Sequence, residues 1–129
     1  MKLLLLTIIF TNFAFSEISV FISHNNKLTK VSNRDLANLY LGKTDKINGI
    51  KLIPIDSKNK KLFEEFYKKI VKKTPSQLHA YWIKQIYKGS AQPPKKLSRE
   101  AIKRAIERGS HIIAYDRNPK TGRILLTIR

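Results

Sequence analysis

The sequence predicts a single-domain α/β sandwich, in which helices pack on a small mixed sheet. Short β-branched runs alternate with amphipathic helical runs, which is typical of mixed α/β domains. The helical runs begin at capping residues and end at glycines or prolines, so the element boundaries are marked in the sequence itself. The chain of 129 residues has no internal repeat and is long enough for one modest core.

The first half of the chain predicts a β-α-β order. Residues 17–23 are rich in β-branched side chains and are expected to form the first strand. Ser32 begins a short helix, and Asp35 at the third helical position completes a capping box. A second strand is expected over residues 51–55, where Pro54 indicates a sheet edge or a strand end.

The middle of the chain predicts two consecutive helices. The first covers residues 58–71, with apolar residues on one face and Lys and Glu on the other. The second begins at Thr74 and ends at Gly89. Its aromatic residues are expected to form the packing centre of the domain, and an aromatic ligand box is the alternative. The expected inner face comprises Leu78, Tyr81, Trp82 and Ile86, with Gln85 or Tyr87.

The last third predicts a helix and two strands. Residues 90–96 are expected to be a loop, followed by a helix that Ser98 caps. Two apolar runs over residues 111–115 and 123–129 follow, and the Asn-Pro-Lys-Thr-Gly segment between them predicts a hairpin. The complete predicted order is β-α-β-α-α-α-β-β.

Residues 1–16 have the pattern of a cleaved signal peptide. Lys2 precedes an apolar run over residues 3–10, and small residues lie at the positions that a signal peptidase reads, with cleavage after Ser16. A retained membrane anchor is the alternative, although the run is shorter than the roughly 20 residues that span a bilayer. We therefore expect a domain over residues 17–129 in the periplasm, with no transmembrane segment in the mature chain.

The composition points away from an enzyme and towards an anionic ligand. There is no cysteine, the three histidines are far apart, and no metal, nucleotide or nucleophile motif is present. We expect no catalytic residue, metal or cofactor. The formal net charge is +17, which favours an oxyanion, a nucleic acid, acidic lipid or an acidic protein as partner. The alternative is that most lysines only solvate helix faces.

Two predicted strand-to-helix junctions could bind an anion. Helix starts present free N–H groups and a positive dipole end, and basic residues add charge. The candidate residues are Ser57, Lys58, Asn59 and Lys60 at one junction and Ser32 at the other. Asp56 opposes binding at the first junction because its carboxylate competes for the same donors. Ordinary helix capping by Ser32 and Ser57 is the alternative.

Nucleic acid is a rival ligand because lysines and arginines cluster in two places. The clusters are Lys68, Lys69, Lys72 and Lys73, and then Lys95, Lys96, Arg99, Lys103, Arg104 and Arg108. Such clusters would give salt-dependent binding without sequence preference. The aromatic residues, however, lie at expected core positions and do not alternate with the basic residues as stacking platforms would. The sequence therefore argues against nucleic acid.

Four motifs, in this order and spacing, resemble those of the phosphate ABC transporter substrate-binding proteins. They are LANLYLGKTDKINGIKLIPID, FEEFYKKI, TPSQLHAYWIKQIYKGSAQPP and IIAYD, within residues 31–116. The resemblance is greatest to short, single-domain members of this periplasmic-binding-protein-like family. It implies part of a type II periplasmic binding fold, an exported non-enzymatic protein, and phosphate or a similar oxyanion as ligand. A membrane permease or a sensor protein is the implied partner.

The sequence departs from this family at the ligand site. The family's Ser-Gly-Thr phosphate loop would fall on Lys60-Lys61-Leu62, and the Gly of its last strand is replaced by Ala114. Because function resides in the site, phosphate binding follows from the resemblance less directly than the fold does. We therefore expect an oxyanion-binding protein that supports transport or sensing. The alternatives are a basic periplasmic interaction module of the same fold without the ligand site, and a polyanion or nucleic-acid binder.

Overall fold

The computed structural model describes residues 17–129, and the predicted signal segment, residues 1–16, lies outside the described residues. The described chain is a mixed α/β fold, as the sequence predicts. Its strands are β1 (Ile18–Ile22), β2 (Lys46–Ile47), β3 (Ile50–Lys51), β4 (Ile53–Ser57), β5 (Lys95–Leu97), β6 (Ile112–Arg117) and β7 (Arg123–Ile128). Its helices are α1 (Asn33–Tyr40), α2 (Lys60–Phe66), α3 (Pro75–Lys88) and α4 (Arg99–Arg108).

Helix α2 does not continue as an α-helix to residue 71. It passes into a π-helical turn, Tyr67–Val71, which ends at Lys72 in the left-handed conformation with φ 61°. The π-turn keeps the predicted apolar face directed inward, because Phe66, Tyr67, Ile70 and Val71 are all buried.

Five of the strands form one mixed sheet in the order β5-β4-β6-β1-β7. Strand β4 is parallel to both β5 and β6, whereas β1 is antiparallel to β6 and β7. The predicted hairpin of the last two strands is wrong, because β1 lies between them. All five residues of β1 are buried, which suits a central strand that is covered on both faces.

The predicted loop at residues 90–96 ends in a further strand, β5. Ile55 pairs with Lys95, Asp56 with Lys96 and Ser57 with Leu97. Strand β5 therefore covers only the second half of β4. Pro54 lies before this paired stretch, so the lack of an N–H group at Pro54 breaks no ladder bond with β5.

Apolar residues cover both faces of the sheet. The larger core contains Val20 and Ile113 of the sheet together with residues of α1, α2 and the π-turn. The smaller core packs Phe21 and Ala114 against Ile102 and Ile106 of α4. Consecutive strand residues point to opposite faces, so the sheet is the middle layer between α4 and the other helices.

Helix α3 lies at the side of the domain and is not its packing centre, contrary to the expectation from its aromatic residues. Only Leu78 and Trp82 are buried, and Tyr81 is partly buried. Ile86 is exposed and Tyr87 is 92% exposed. The central aromatic residues come instead from α1, α2, the π-turn and β6. Within residues 17–129, no helix is both long and apolar enough to cross a membrane.

Candidate functional site

The turn between β4 and α2 carries four of the five predicted anion-binding residues. Ser57 is buried, and its hydroxyl accepts a hydrogen bond from the backbone N–H of Asn59 at 3.0 Å. The Asn59 side chain accepts from the N–H of Leu62 at 3.2 Å and so caps α2. Lys58 and Lys60 are exposed. The side chains of Ser57 and Asn59 therefore already accept hydrogen bonds that fix the conformation of this turn.

The fifth predicted residue, Ser32, is an ordinary helix cap. Its hydroxyl accepts from the N–H of Asp35 at 3.0 Å, and the Asp35 carboxylate accepts in return from the N–H of Ser32 at 3.3 Å. This is the capping box that the sequence predicts. Ser32 is exposed and takes no part in the cleft described below.

A buried carboxyl group lies directly before this turn. Asp56, at the carboxyl end of β4, is 2% exposed. The hydroxyl of Tyr67 donates to Asp56 Oδ2 at 2.8 Å, and that of Tyr115 donates to Oδ1 at 2.9 Å. Burial raises the pKa of Asp56 to about 7, although the two tyrosine hydrogen bonds and the nearby Lys96 act in the opposite direction.

A cluster of aromatic rings holds these groups in place. Phe66 stacks on Tyr115 with the ring centroids 3.8 Å apart, and Tyr40 meets both rings edge to face. The Tyr40 hydroxyl donates to the carbonyl of Ile55 at 3.0 Å, which fixes the strand just before Asp56. Burial also raises the pKa of Tyr67 and of Tyr115. These hydroxyls therefore remain protonated and act as donors to the carboxyl group.

An apolar cleft of about 380 Å³ opens beside this buried network, and we name it the α3 cleft. Its apolar lining includes Phe63, Leu78, Trp82, Ile83, Ile86 and Pro94. Asp56, His79 and Lys96 supply its charged or polar groups. Ile83 and Ile86 are 56% and 55% exposed, so a considerable apolar surface remains in water. Helix α3 packs on the larger core through Leu78, Tyr81 and Trp82, and the Tyr81 hydroxyl donates to the carbonyl of Leu41 at 2.6 Å, so Ile83 and Ile86 are left at the open side of the cleft.

Lys96 is the cation of the α3 cleft. Its position in β5 is paired with that of Asp56 in β4, so both side chains belong to the same region of the sheet. The Lys96 Nζ lies 4.1 Å from the centroid of the Phe63 ring, a cation–π contact. The side chain is exposed. The cleft therefore combines an apolar lining with an accessible positive charge.

A second cavity, of about 330 Å³, lies on the opposite side of the sheet near the start of α4. There Arg99 donates to both oxygens of Asp116, at 2.8 and 3.0 Å. Arg117 donates to Glu65. Arg99 at the start of α4 and Arg117 at the carboxyl end of β6 are therefore engaged in ion pairs within the domain.

Sequence reasoning identified Asp56 only as an obstacle to anion binding and missed the α3 cleft. Asp56 follows the apolar run Ile53-Pro54-Ile55, but Asp is rarely fully buried, so its burial between Tyr67 and Tyr115 had no local signal in the sequence. The sequence of α3, however, contained an indication of the cleft. Ile83, Ile86 and Tyr87 give α3 more apolar residues than its inward stripe can bury.

Comparisons with protein-family models, with curated proteins and with solved structures find no match for this chain. Among residues 17–129 no group of His, Cys, Asp and Glu is arranged to hold a metal ion. The resemblance to phosphate-binding proteins therefore remains an expectation from the four sequence motifs.

Proposed function

We propose that this chain is an exported, non-enzymatic binding domain whose partner is an acidic protein. The observation that carries the proposal is the state of the β4–α2 turn. Its serine and asparagine side chains are engaged in hydrogen bonds within the turn, while Lys58, Lys60 and Lys61 are exposed. Ser57 is buried and both side chains fix the turn, so the charge accessible to a partner is carried by flexible lysines, which favours an acidic protein surface over a tightly held small anion.

The overall charge supports the same conclusion. The chain has 26 Lys and Arg against 9 Asp and Glu. Several of the acidic residues are paired within the domain, as Glu65 is with Lys69 and Asp116 with Arg99. The remaining positive charge attracts acidic partners over about a Debye length, ~8 Å at physiological salt.

The test is a titration of the full chain with fluorescently labelled poly-glutamate at low and physiological salt. We expect saturable binding that weakens as salt increases. A twenty-nucleotide single-stranded DNA is the competitor. The proposal is wrong if poly-glutamate does not bind, or if the DNA binds more tightly at every salt concentration.

A small oxyanion such as phosphate is the second candidate, favoured by the three exposed lysines around the β4–α2 turn. Thermal melting in phosphate and in chloride at equal ionic strength separates the two functions. A site saturated about a thousandfold would add roughly 4 kcal/mol and raise the melting temperature by about ten degrees. A phosphate-specific increase that Lys60→Glu abolishes and Lys103→Glu retains would favour the oxyanion. Equal melting in both salts would favour the acidic protein.

A further inference from the structure

We propose that the α3 cleft is the docking site for an acidic segment of a partner protein, which inserts one large apolar side chain beside Trp82. This inference rests on the proposed function and locates it on the domain. It adds that the partner is recognised by an apolar anchor as well as by its charge.

The lining of the cleft explains the apolar anchor. Trp82 and Leu78 are buried, whereas Ile83 and Ile86 leave more than half of their surface in water. Neighbouring Pro93 and Pro94 add rigid apolar surface on the other side of the cleft. A large apolar side chain placed here would remove the exposed isoleucine surface from water, and aromatic anchors in such pockets contribute strongly to binding.

The charges around the cleft determine the chemistry of the flanking residues. Lys96 lies in the lining and is exposed. The Nζ of Lys73 lies 5.5 Å from the centroid of the Tyr81 ring, which itself packs against Trp82. A carboxylate next to an inserted apolar residue would meet Lys96, and further acidic residues would be attracted by the domain's excess of lysines and arginines. Asp56 does not counter them as a free carboxylate would, since two tyrosines bind its oxygens and it is buried.

The same observations argue against two other occupants. A second copy of this chain would bring a formal charge of +17 against an equal one, which disfavours close association. A bilayer surface takes up apolar groups that protrude, whereas Leu78, Trp82 and Phe63 line a concave cleft. A protruding side chain of a protein segment fits this shape.

Trp82 is the only tryptophan of the chain and lines the cleft, so its fluorescence reports occupation directly. The probes are three tryptophan-free peptides, acetylated and amidated: Glu-Glu-Leu-Phe-Glu-Glu, Glu-Glu-Ala-Ala-Glu-Glu and Lys-Lys-Leu-Phe-Lys-Lys. We expect the first to shift the Trp82 emission and to bind about tenfold or more tighter than the second. We expect the third not to bind.

Matched variants locate the site. Ile83→Glu and Lys96→Glu are expected to lower the affinity for Glu-Glu-Leu-Phe-Glu-Glu about tenfold or more. Their controls are Tyr87→Glu on the same helix and Lys103→Glu on α4, two exposed positions outside the cleft lining, and both are expected to retain binding. Circular dichroism checks that each variant is folded, and Ile86→Glu replaces Ile83→Glu if that variant is not.

The outcomes distinguish this inference from the proposed function. If the alanine peptide binds as tightly as the Leu-Phe peptide, or if the cleft variants behave like their controls, the docking site is wrong while acidic binding stands. If neither acidic peptide nor poly-glutamate binds, both proposals are wrong. If vesicles containing phosphatidylglycerol shift the Trp82 emission and Ile83→Glu abolishes that shift, the cleft serves a membrane and the docking inference is overturned.

Discussion

Asp56 shows how one residue can stabilise a local arrangement and still reduce the stability of the whole domain. Its two oxygens accept hydrogen bonds from Tyr67 and Tyr115 and so connect β4, β6 and the π-turn. Burial nevertheless raises its pKa from 3.8 to about 7. Between these two values the folded state binds a proton that the unfolded state has released. The stability of the fold must therefore fall as pH rises through this window.

We predict that the free energy of unfolding decreases by about 3 kcal/mol between pH 5 and pH 8, because about two units of the pKa shift lie above pH 5 and each unit contributes about 1.36 kcal/mol. The variant Asp56→Asn should lose most of this dependence, because an amide does not ionise and can still bond both tyrosines. Urea unfolding at constant ionic strength and at four pH values from 5 to 8 measures both proteins. Parallel pH profiles for the two proteins would contradict the prediction.

Glu65 is the contrasting carboxyl group, and its pKa lies below the range from pH 5 to 8. Hydrogen bonds from Lys69 and Arg117 hold the pKa of Glu65 below its ordinary value of 4.5. Its contribution is present above that value and is lost as pH falls, which is the opposite sign to that of Asp56. The two carboxyl groups therefore affect different ends of the pH range, and the profile from pH 5 to 8 reports Asp56 alone of the two.

At the scale of elements, the starts of α1, α3 and α4 could be read from the sequence because their causes are local. Helix α2, in contrast, begins at Lys60, two residues after the predicted start, with Asn59 and not Ser57 as its N-cap. Ser32 and Thr74 each form the predicted capping box, and Ser98 caps α4 through the N–H of Ala101. Gly89 ends α3 in the left-handed conformation, with φ 67°. A cap depends on residues three or four apart, so the sequence contains the information it needs.

Strand pairing and helix placement depend on distant residues, and the sequence predicted them less well. The pairing of β7 with β1 required Ile18–Ile22 to enter the centre of the sheet, which no local pattern near residue 123 indicates. Strand β5 has only three residues, two of them lysine, and is defined by its parallel partner β4. The strand-to-helix junction after Ser57 was predicted from the sequence, but the hydrogen bonds within it depend on the folded geometry.

We predict that a substitution in α2 destabilises the domain more than one in α3, the reverse of what the aromatic content of α3 suggests. Phe66 is fully buried and stacked on Tyr115, so Phe66→Ala should cost about 3–5 kcal/mol. Trp82 borders the α3 cleft, so Trp82→Ala should cost less, about 2 kcal/mol. Urea unfolding of both variants measures the difference. A larger cost for Trp82→Ala than for Phe66→Ala would contradict this prediction and would indicate that α3 is the packing centre.

For the whole molecule, the sheet separates two surfaces of different character. On one side, α4 packs on the smaller core, and the nearby Arg99 and Asp116 neutralise each other. On the other side, α2 and α3 enclose the cleft that contains Lys96 and the exposed isoleucines. The aromatic network around Asp56 lies beneath this second surface. The rigid core therefore supports the proposed docking surface. Helix α3 contributes exposed apolar side chains to this surface that do not pack against the core.

The excess of positive charge should make salt act in opposite directions on folding and on binding. In the free protein, lysines repel one another, so screening by sodium chloride should raise the midpoint of urea unfolding. In the complex with poly-glutamate, the same screening should lower the affinity. Both quantities can be measured on one preparation between 20 and 500 mM salt, with Lys60→Glu as a variant that should reduce both dependences. If stability falls together with affinity as salt increases, ion pairs within the domain outweigh the repulsion between its lysines. The positive charge would then serve mainly to form ion pairs within the fold and would not be available to bind a partner.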